Sequence, residues 1–310
     1  MQRNGIHHVT AIAGPAARNL AFYTRTLGLR LVKKTVNFDD PGTYHLYYGD
    51  ELGRPGTILT FFPWAHVARS QLGVGQTQET MFRVPAGALG WWQDHLERAG
   101  VAHGAATERF GEAVLPFHDP DGMPLSLVGV AGAEEMAPWS DGAVPADHAI
   151  RGFHGVSLLQ AEVAPTGAIL TDLFGLTETA REGRVVRFAA AGAEPGGIVD
   201  VEVSEGFMPG RMGGGSVHHI AFRAADDAEQ ARMVEKLARH HGIRTTEQKD
   251  RNYFRSVYFR EPGGVLFEIA TDEPGFAADE PAGSLGQALK LPRFLEPRRA
   301  EIETVLPALD

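Results

Sequence analysis

A pattern of strand, helix and further strands recurs four times along this chain, and an internal repeat constrains a fold more than any single motif does. Three of the units open alike, with Ile6-His7-His8-Val9, Phe153-His154-Gly155-Val156 and Val217-His218-His219-Ile220. Two close alike, Pro120-Asp121-Gly122-Met123 and Pro262-Gly263-Gly264-Val265 each making a turn before a last apolar strand. In the first unit Gly5 to Thr10 reads as a strand. Leu20, Tyr23, Thr24 and Leu27 then recur at helical spacing over Asn19 to Leu27, with Gly28 at the end. Strands at Leu29 to Asn37, Thr43 to Tyr48 and Thr57 to Pro63 complete it. The second unit has a strand at Glu79 to Val84, a helix at Leu89 to Arg98 and a turn and strand over Phe117 to Val128.

Ala131 to Ile150 lacks periodicity and is rich in Ala, Pro, Gly and acidic residues, so it reads as a linker between two halves. The third unit opens at Gly152, with a helix near Ala164 to Phe174 and strands near Val185 to Ala190 and Val199 to Val203. A Gly- and Met-containing connection, Glu205 to Gly215, leads to the fourth. That unit has a strand at Ser216 to Phe222, a helix at Glu229 to His241 and strands at Arg255 to Phe259 and Val265 to Ala270. The expected organisation is a domain over residues 1–130, a linker over 131–150, a second domain over 151–275 and a tail over 276–310, which holds a short amphipathic helix from Arg298 to Leu306.

The repeat also isolates a set of metal-ligand types. The second histidine of an opening pair is His8 in the first unit and His219 in the fourth, whereas the third has Gly155. A carboxylate, Glu268, lies in the otherwise apolar closing strand of the fourth unit, where the second has Ser126. A buried carboxylate is costly unless paired or coordinating. Two imidazoles and one carboxylate are the donors of a facial metal site with open positions. One metal site is therefore expected, and His8 and His219 come from opposite ends of the chain, so the fold has to bring the first and last units together. An ion pair of Glu268 with Arg251 or Arg255 is the plainer alternative. Because successive strand residues face opposite ways, His7 and His218 should point away from the metal or orient its ligands. His45, on a candidate cleft strand, is the exception among the remaining histidines, which read as structural or solvated. Alternation places Tyr258 on the same face as Ser256. Phe61, Phe62, Trp64 and the Trp91-Trp92 pair read as core or interface, with an aromatic wall of the cleft as the alternative.

Composition narrows the chemistry. With 310 residues, 43% of them apolar, the chain can bury sizeable cores. A net charge of −10 argues against a nucleic-acid binder. No apolar run approaches membrane-spanning length and no secretory signal is visible, which makes a cytoplasmic address the default. Cys is absent, so disulfides and thiolate ligands are excluded and a metal must be held by nitrogen and oxygen.

The four units in two pairs resemble the vicinal oxygen chelate superfamily. That resemblance implies an α+β fold of four βαβββ units in two tandem glyoxalase-like domains, with mixed sheets curled around a metal cleft. It narrows over "GIHHVT" from Gly5, "YHLYYGDELGRPGTILTFF" from Tyr44, "SVHHIAFR" from Ser216, "DRNYFRSVYFREPGGVLFEIATDEPGF" from Asp250 and "LPRFLEPRRAEIETVLPAL" from Leu291. These stretches are similar to the hydroquinone-type ring-cleaving dioxygenases, and the similarity spans nearly the whole chain. It implies Fe(II), with Mn(II), Zn(II) or Ni(II) as other occupants, bound by His8, His219 and Glu268. His7, Thr10, His218, Arg251 and Tyr258 become the surrounding substrate and acid–base residues. The implied partners are a small aromatic substrate and O2, with no nucleic acid or membrane; a homo-oligomer is compatible. Two other readings within reach are a glyoxalase or thiol transferase, whose sites commonly use more than one carboxylate, and a non-catalytic protein that sequesters a drug or aromatic compound.

Overall fold

A computed structural model of the protein describes residues 4–309 with the exception of 140, 193, 194, 205 and 207; Glu205, the expected start of one connection, thus lies outside the described residues. The first unit comprises β1 (Ile6–Ala13), α1 (Ala16–Ala21), β2 (Arg30–Asn37), β3 (Asp40–Gly49) and β4 (Ile58–Pro63). The second has β5 (Gln76–Pro85), α2 (Leu89–Arg98), β6 (Thr107–Arg109), β7 (Glu112–His118) and β8 (Pro124–Val130). The third has β9 (Phe153–Gln160), α3 (Ala164–Asp172), β10 (Thr177–Glu182), β11 (Val185–Ala189) and β12 (Ile198–Val203). The fourth has β13 (Ser216–Ala224), α4 (Asp227–His241), β14 (Lys249–Asp250), β15 (Arg255–Arg260) and β16 (Leu266–Thr271), and the tail carries α5 (Arg299–Val305).

Each unit folds the same way: its first strand pairs in parallel with its last, and the other two continue the sheet antiparallel. A parallel pair needs a crossover, and the helix after each opening strand is part of it. The units then join through their opening strands. β1 pairs antiparallel with β13, and β5 with β9, giving two eight-stranded sheets in the orders β14-β15-β16-β13-β1-β4-β3-β2 and β10-β11-β12-β9-β5-β8-β7-β6. Units one and four thus share one sheet, as the separated histidines demanded. Each sheet takes one unit from each half of the chain, and a single buried cluster containing Ile6, Phe222, Phe82 and Phe153 is common to both.

Local chemistry explains the element ends. The Asp226 side chain accepts from the Glu229 amide, and Glu229 accepts from the Ala225 amide, a reciprocal cap that starts α4 two residues before the apolar spacing suggests. Gly242, at φ 67°, ends it. The first helix begins at Ala16, earlier than expected, and its last turn, Phe22–Thr26, widens to π spacing. β6, β7, β10 and β14 gave no clear periodic signal: β10 reads Thr-Glu-Thr-Ala-Arg-Glu and is almost wholly exposed, so little of it is apolar. No described helix is long and apolar enough to cross a membrane.

The tail is part of the first sheet's architecture. Leu291, Leu295 and Ile302 bury against Val36 of β2, while Phe276 and Leu285 pack with Val32, Tyr47 and Tyr253. Lys33 is wholly buried, with its Nζ 2.6 Å from Asp279 and 2.5 Å from Glu280, above the Tyr253 ring. Breaking such a buried pair strands its partners' charge. Lys33→Ala is accordingly expected to lower unfolding free energy by about 3 kcal/mol or more, read by denaturant titration.

Candidate metal centre

In a regular strand, adjacent histidines would face opposite sides. Here each pair sits at a β-bulge. The β1–β13 ladder pairs His8 with Ala221 and Thr10 with His219, but it slips by one residue at His7 and again at His218. A bulge leaves its extra residue unpaired and re-aims the side chain. As a result His7 Nδ1 lies 2.9 Å from His8 Nδ1, and His218 Nδ1 lies 2.7 Å from His219 Nδ1. The two histidines ahead of the ligands therefore hold the ligand rings by their Nδ1 atoms, leaving both Nε2 atoms to face the sheet's concave side.

Glu268 completes the set through the ladder, since Ala221 pairs with Glu268 on one side and with His8 on the other. Its Oε2 is 2.9 Å from His219 Nε2 and 3.4 Å from His8 Nε2, and the ligand atoms of all three lie within 4.8 Å of one another. All three residues are buried, Glu268 completely. Burial alone would push the Glu268 carboxyl up, but the His8 and His219 imidazoles hold it well below the usual carboxylate range. Burial lowers His219, and it lowers His7 and brings His218 down to about 3, with the neighbouring imidazole adding to it in each pair. Ser256 donates to Oε1, whereas Oε2 accepts no hydrogen bond of ordinary geometry from any described residue. A buried anionic oxygen left this way, flanked by two Nε2 atoms, fits a divalent metal with further positions open. The arginine alternative fails: Arg255 pairs with Asp227, and Arg251 reaches Tyr258 and Asp39.

The second sheet shows the same frame without the ligands. Its corresponding ladder row is Ser126–Met81–Gly155, where the first sheet has Glu268–Ala221–His8, and the slip that precedes His219 recurs just before Glu79. Arg109 binds Glu79 at 2.6 Å. A Cβ on Gly155 would lie 2.2 Å from the Ile198 carbonyl oxygen, so no side chain fits there. The duplicated frame supports one centre.

The centre opens into a cleft of about 160 Å³, lined among others by His8, His219, His218, Arg251, Tyr258 and Phe254. Arg251 Nε donates to the Tyr258 hydroxyl at 3.3 Å, and burial, with Glu268 adding to it, pushes that phenol well above its ordinary value. Ser256 and Tyr258 do share a face, one touching Glu268 and the other the cleft. His45 also lines the cleft; Tyr47 and Thr60 occupy its Nδ1 and Nε2, each at 2.8 Å. Thr60 in turn donates to Thr10, which is fully buried beneath the cleft. His7 does not line the cleft. It stands behind His8, at the floor of a separate pocket with Phe276 and Leu285. Phe62 and Trp64 take the second of the two readings and line the cleft, whereas Phe61 and Trp92 are core. The end of β4 leaves the β3 ladder after Phe61, and Trp64 donates to Asp40 at the start of β3. Tyr47, Thr60 and Phe254 went unmarked in the sequence, and Ser256 was marked only by its alternation with Tyr258, because their relation to the candidate ligands depends on contacts between segments; the period-two offset of Tyr47 from His45 was a further sign.

Residues 5–127 and 148–269 each match the family described as the Glyoxalase/Bleomycin resistance protein/Dioxygenase superfamily. The chain is 47% identical to MhqO of Bacillus subtilis (strain 168), provisionally named a ring-cleaving dioxygenase, over 96% of this chain and 94% of that one. It is 35% identical to the chlorohydroquinone/hydroquinone 1,2-dioxygenase of Sphingobium indicum, again over 96% and 94%. The crystal structure of a provisionally named dioxygenase from Bacillus subtilis superposes with a TM-score of 0.94 at 46% identity, covering 100% of this chain and 99% of that one.

Ser256 touches only the outer oxygen of Glu268, so removing its hydroxyl tests the carboxylate's orientation and not its presence. Ser256→Ala is expected to weaken metal binding about 10- to 100-fold without unfolding the protein, measured by competition with a chromogenic chelator.

Proposed function

Because the chain belongs to the Glyoxalase/Bleomycin resistance protein/Dioxygenase superfamily, we propose that it is a ring-cleaving dioxygenase that opens hydroquinone-type aromatics with O2, using Fe(II) held by His8, His219 and Glu268. The observation that carries this reading is the buried two-imidazole, one-carboxylate cluster at the end of a cleft sized for one ring. An apolar cavity of ~150 Å³ accommodates benzene, and this cleft has about 160 Å³. The named activities of the full-length relatives support it. Among the described residues the ligand cluster holds a single carboxylate, Glu268, which separates it from glyoxalase-type sites built on more than one.

Bound at these ligands, Fe(II) would supply the redox chemistry that allows O2 to react with a phenolic ring. The chain's own residues do the rest. Phe62, Trp64 and Phe254 and the His45 ring give the substrate apolar faces and exclude water. A hydroquinone carries its hydroxyls para to each other and cannot chelate through adjacent oxygens, so orientation falls to hydrogen bonds. Tyr258, a neutral phenol beside the Arg251 guanidinium, donates one, and together the two offset negative charge as it develops on the ring oxygens. His218 borders the cleft with Nδ1 engaged by His219, so proton exchange with the substrate falls to its other nitrogen. His45 has both nitrogens occupied and serves as a wall.

Anaerobic loading with Fe(II) followed by hydroquinone and O2 should consume one O2 per ring and yield a ring-opened product; no uptake, or equal turnover with Zn(II), would overturn the reading. Tyr258→Phe should retain metal and lower kcat by about a hundredfold, seen in steady-state O2 uptake. Glu268→Gln should lose both stoichiometric iron and turnover.

A further inference from the structure

We infer that Asp39 is a specificity-determining residue that makes the cleft prefer uncharged dihydroxy-aromatics over their ring-carboxylated counterparts; the inference rests on the aromatic-substrate reading above. Apart from its imidazoles, the cleft lining contains one basic side chain, Arg251, and one acidic one, Asp39. Both Nη atoms of Arg251 are directed at Asp39 Oδ2, each at 3.4 Å, while its Nε goes to Tyr258. The guanidinium that a carboxylated ring would need is therefore already engaged by a carboxylate of the protein. Any second anion entering there meets Asp39 at close range.

The placement of Asp39 is built. It sits on the turn between β2 and β3, whose backbone is held by the Asn37 side chain, which accepts from the Asp39 amide at 3.0 Å. Asp40, next in the chain, accepts from Thr43 at 2.6 Å and from Trp64 Nε1 at 3.2 Å. On the other side Phe38 makes an edge contact with Phe294 of the tail. The turn is braced from the strand, the cleft wall and the tail, and Arg251 and Asp39 meet across the mouth from units one and four. Arg251 is only 20% exposed, so its charge is felt within the cleft; Asp39 is 68% exposed, so part of its own field is screened by solvent. A preference of about threefold to fivefold, and not an absolute block, is the expected scale.

The test is calorimetric binding, which needs no turnover. Hydroquinone and 2,5-dihydroxybenzoate are titrated into the parent protein, Asp39→Asn and Asp39→Glu, at low and high salt. The expected result is a ratio of affinities that shifts about threefold to fivefold toward the carboxylated ring in D39N, shrinks with salt and returns to the parent value in D39E. Hydroquinone binding with no shift of the ratio in D39N, or a parent protein that already takes both rings equally, overturns the role of Asp39 while leaving the dioxygenase reading intact. If neither ring binds the parent protein, the aromatic-substrate reading itself fails and the inference falls with it.

Discussion

The antiparallel pairing of β1 with β13 is the constraint on which the rest depends. That one ladder brings the two ends of the repeat into register, sets His8 two positions from His219 across the strands, and, through the parallel neighbour β16, delivers Glu268 to the same row. A slip of one residue would turn each ligand to the opposite face. The two bulges give the ladder a second property, since they let the first histidine of each pair grip the ring of the second. The identity of the candidate donors is thus a matter of sequence, while their orientation is a matter of strand pairing.

The same duplicated frame occurs in the other sheet and shows how little separates a metal centre from a structural core. There the ladder row is occupied by Ser126 and Gly155, and Glu79 is taken by Arg109. Nearby Glu112, His154, Arg187 and Asp200 form a connected set of ion pairs. These groups partner one another, whereas Glu268 Oε2 faces the Nε2 atoms of His219 and His8.

Much of this was legible before any coordinates. The repeat gave the units and most of their strands, because half-buried strands and amphipathic helices write their period into the chain. The pairs at His8 and His219 and the isolated Glu268 stood out because polar residues in apolar strands need a reason. Phe62 and Trp64 did not: an aromatic at a strand end looks the same whether it enters a core or walls a cleft. Ser256, Tyr47 and Thr60 were ordinary strand residues until their cross-strand neighbours were known. The tail, unassigned from the sequence, covers the first sheet through Lys33, Asp279 and Glu280 and braces the mouth through Phe294.

By itself the sequence determined the number of units, the absence of thiolate ligands and the three candidate donor residues, all properties of residue type and spacing. The tertiary structure decided which units share a sheet, which face each histidine takes, what holds Glu268 and which side chains wall the cleft. Those properties depend on strand register, bulges and contacts between segments far apart in the chain. Spacing along a strand records only whether a residue faces in or out, not what it meets there.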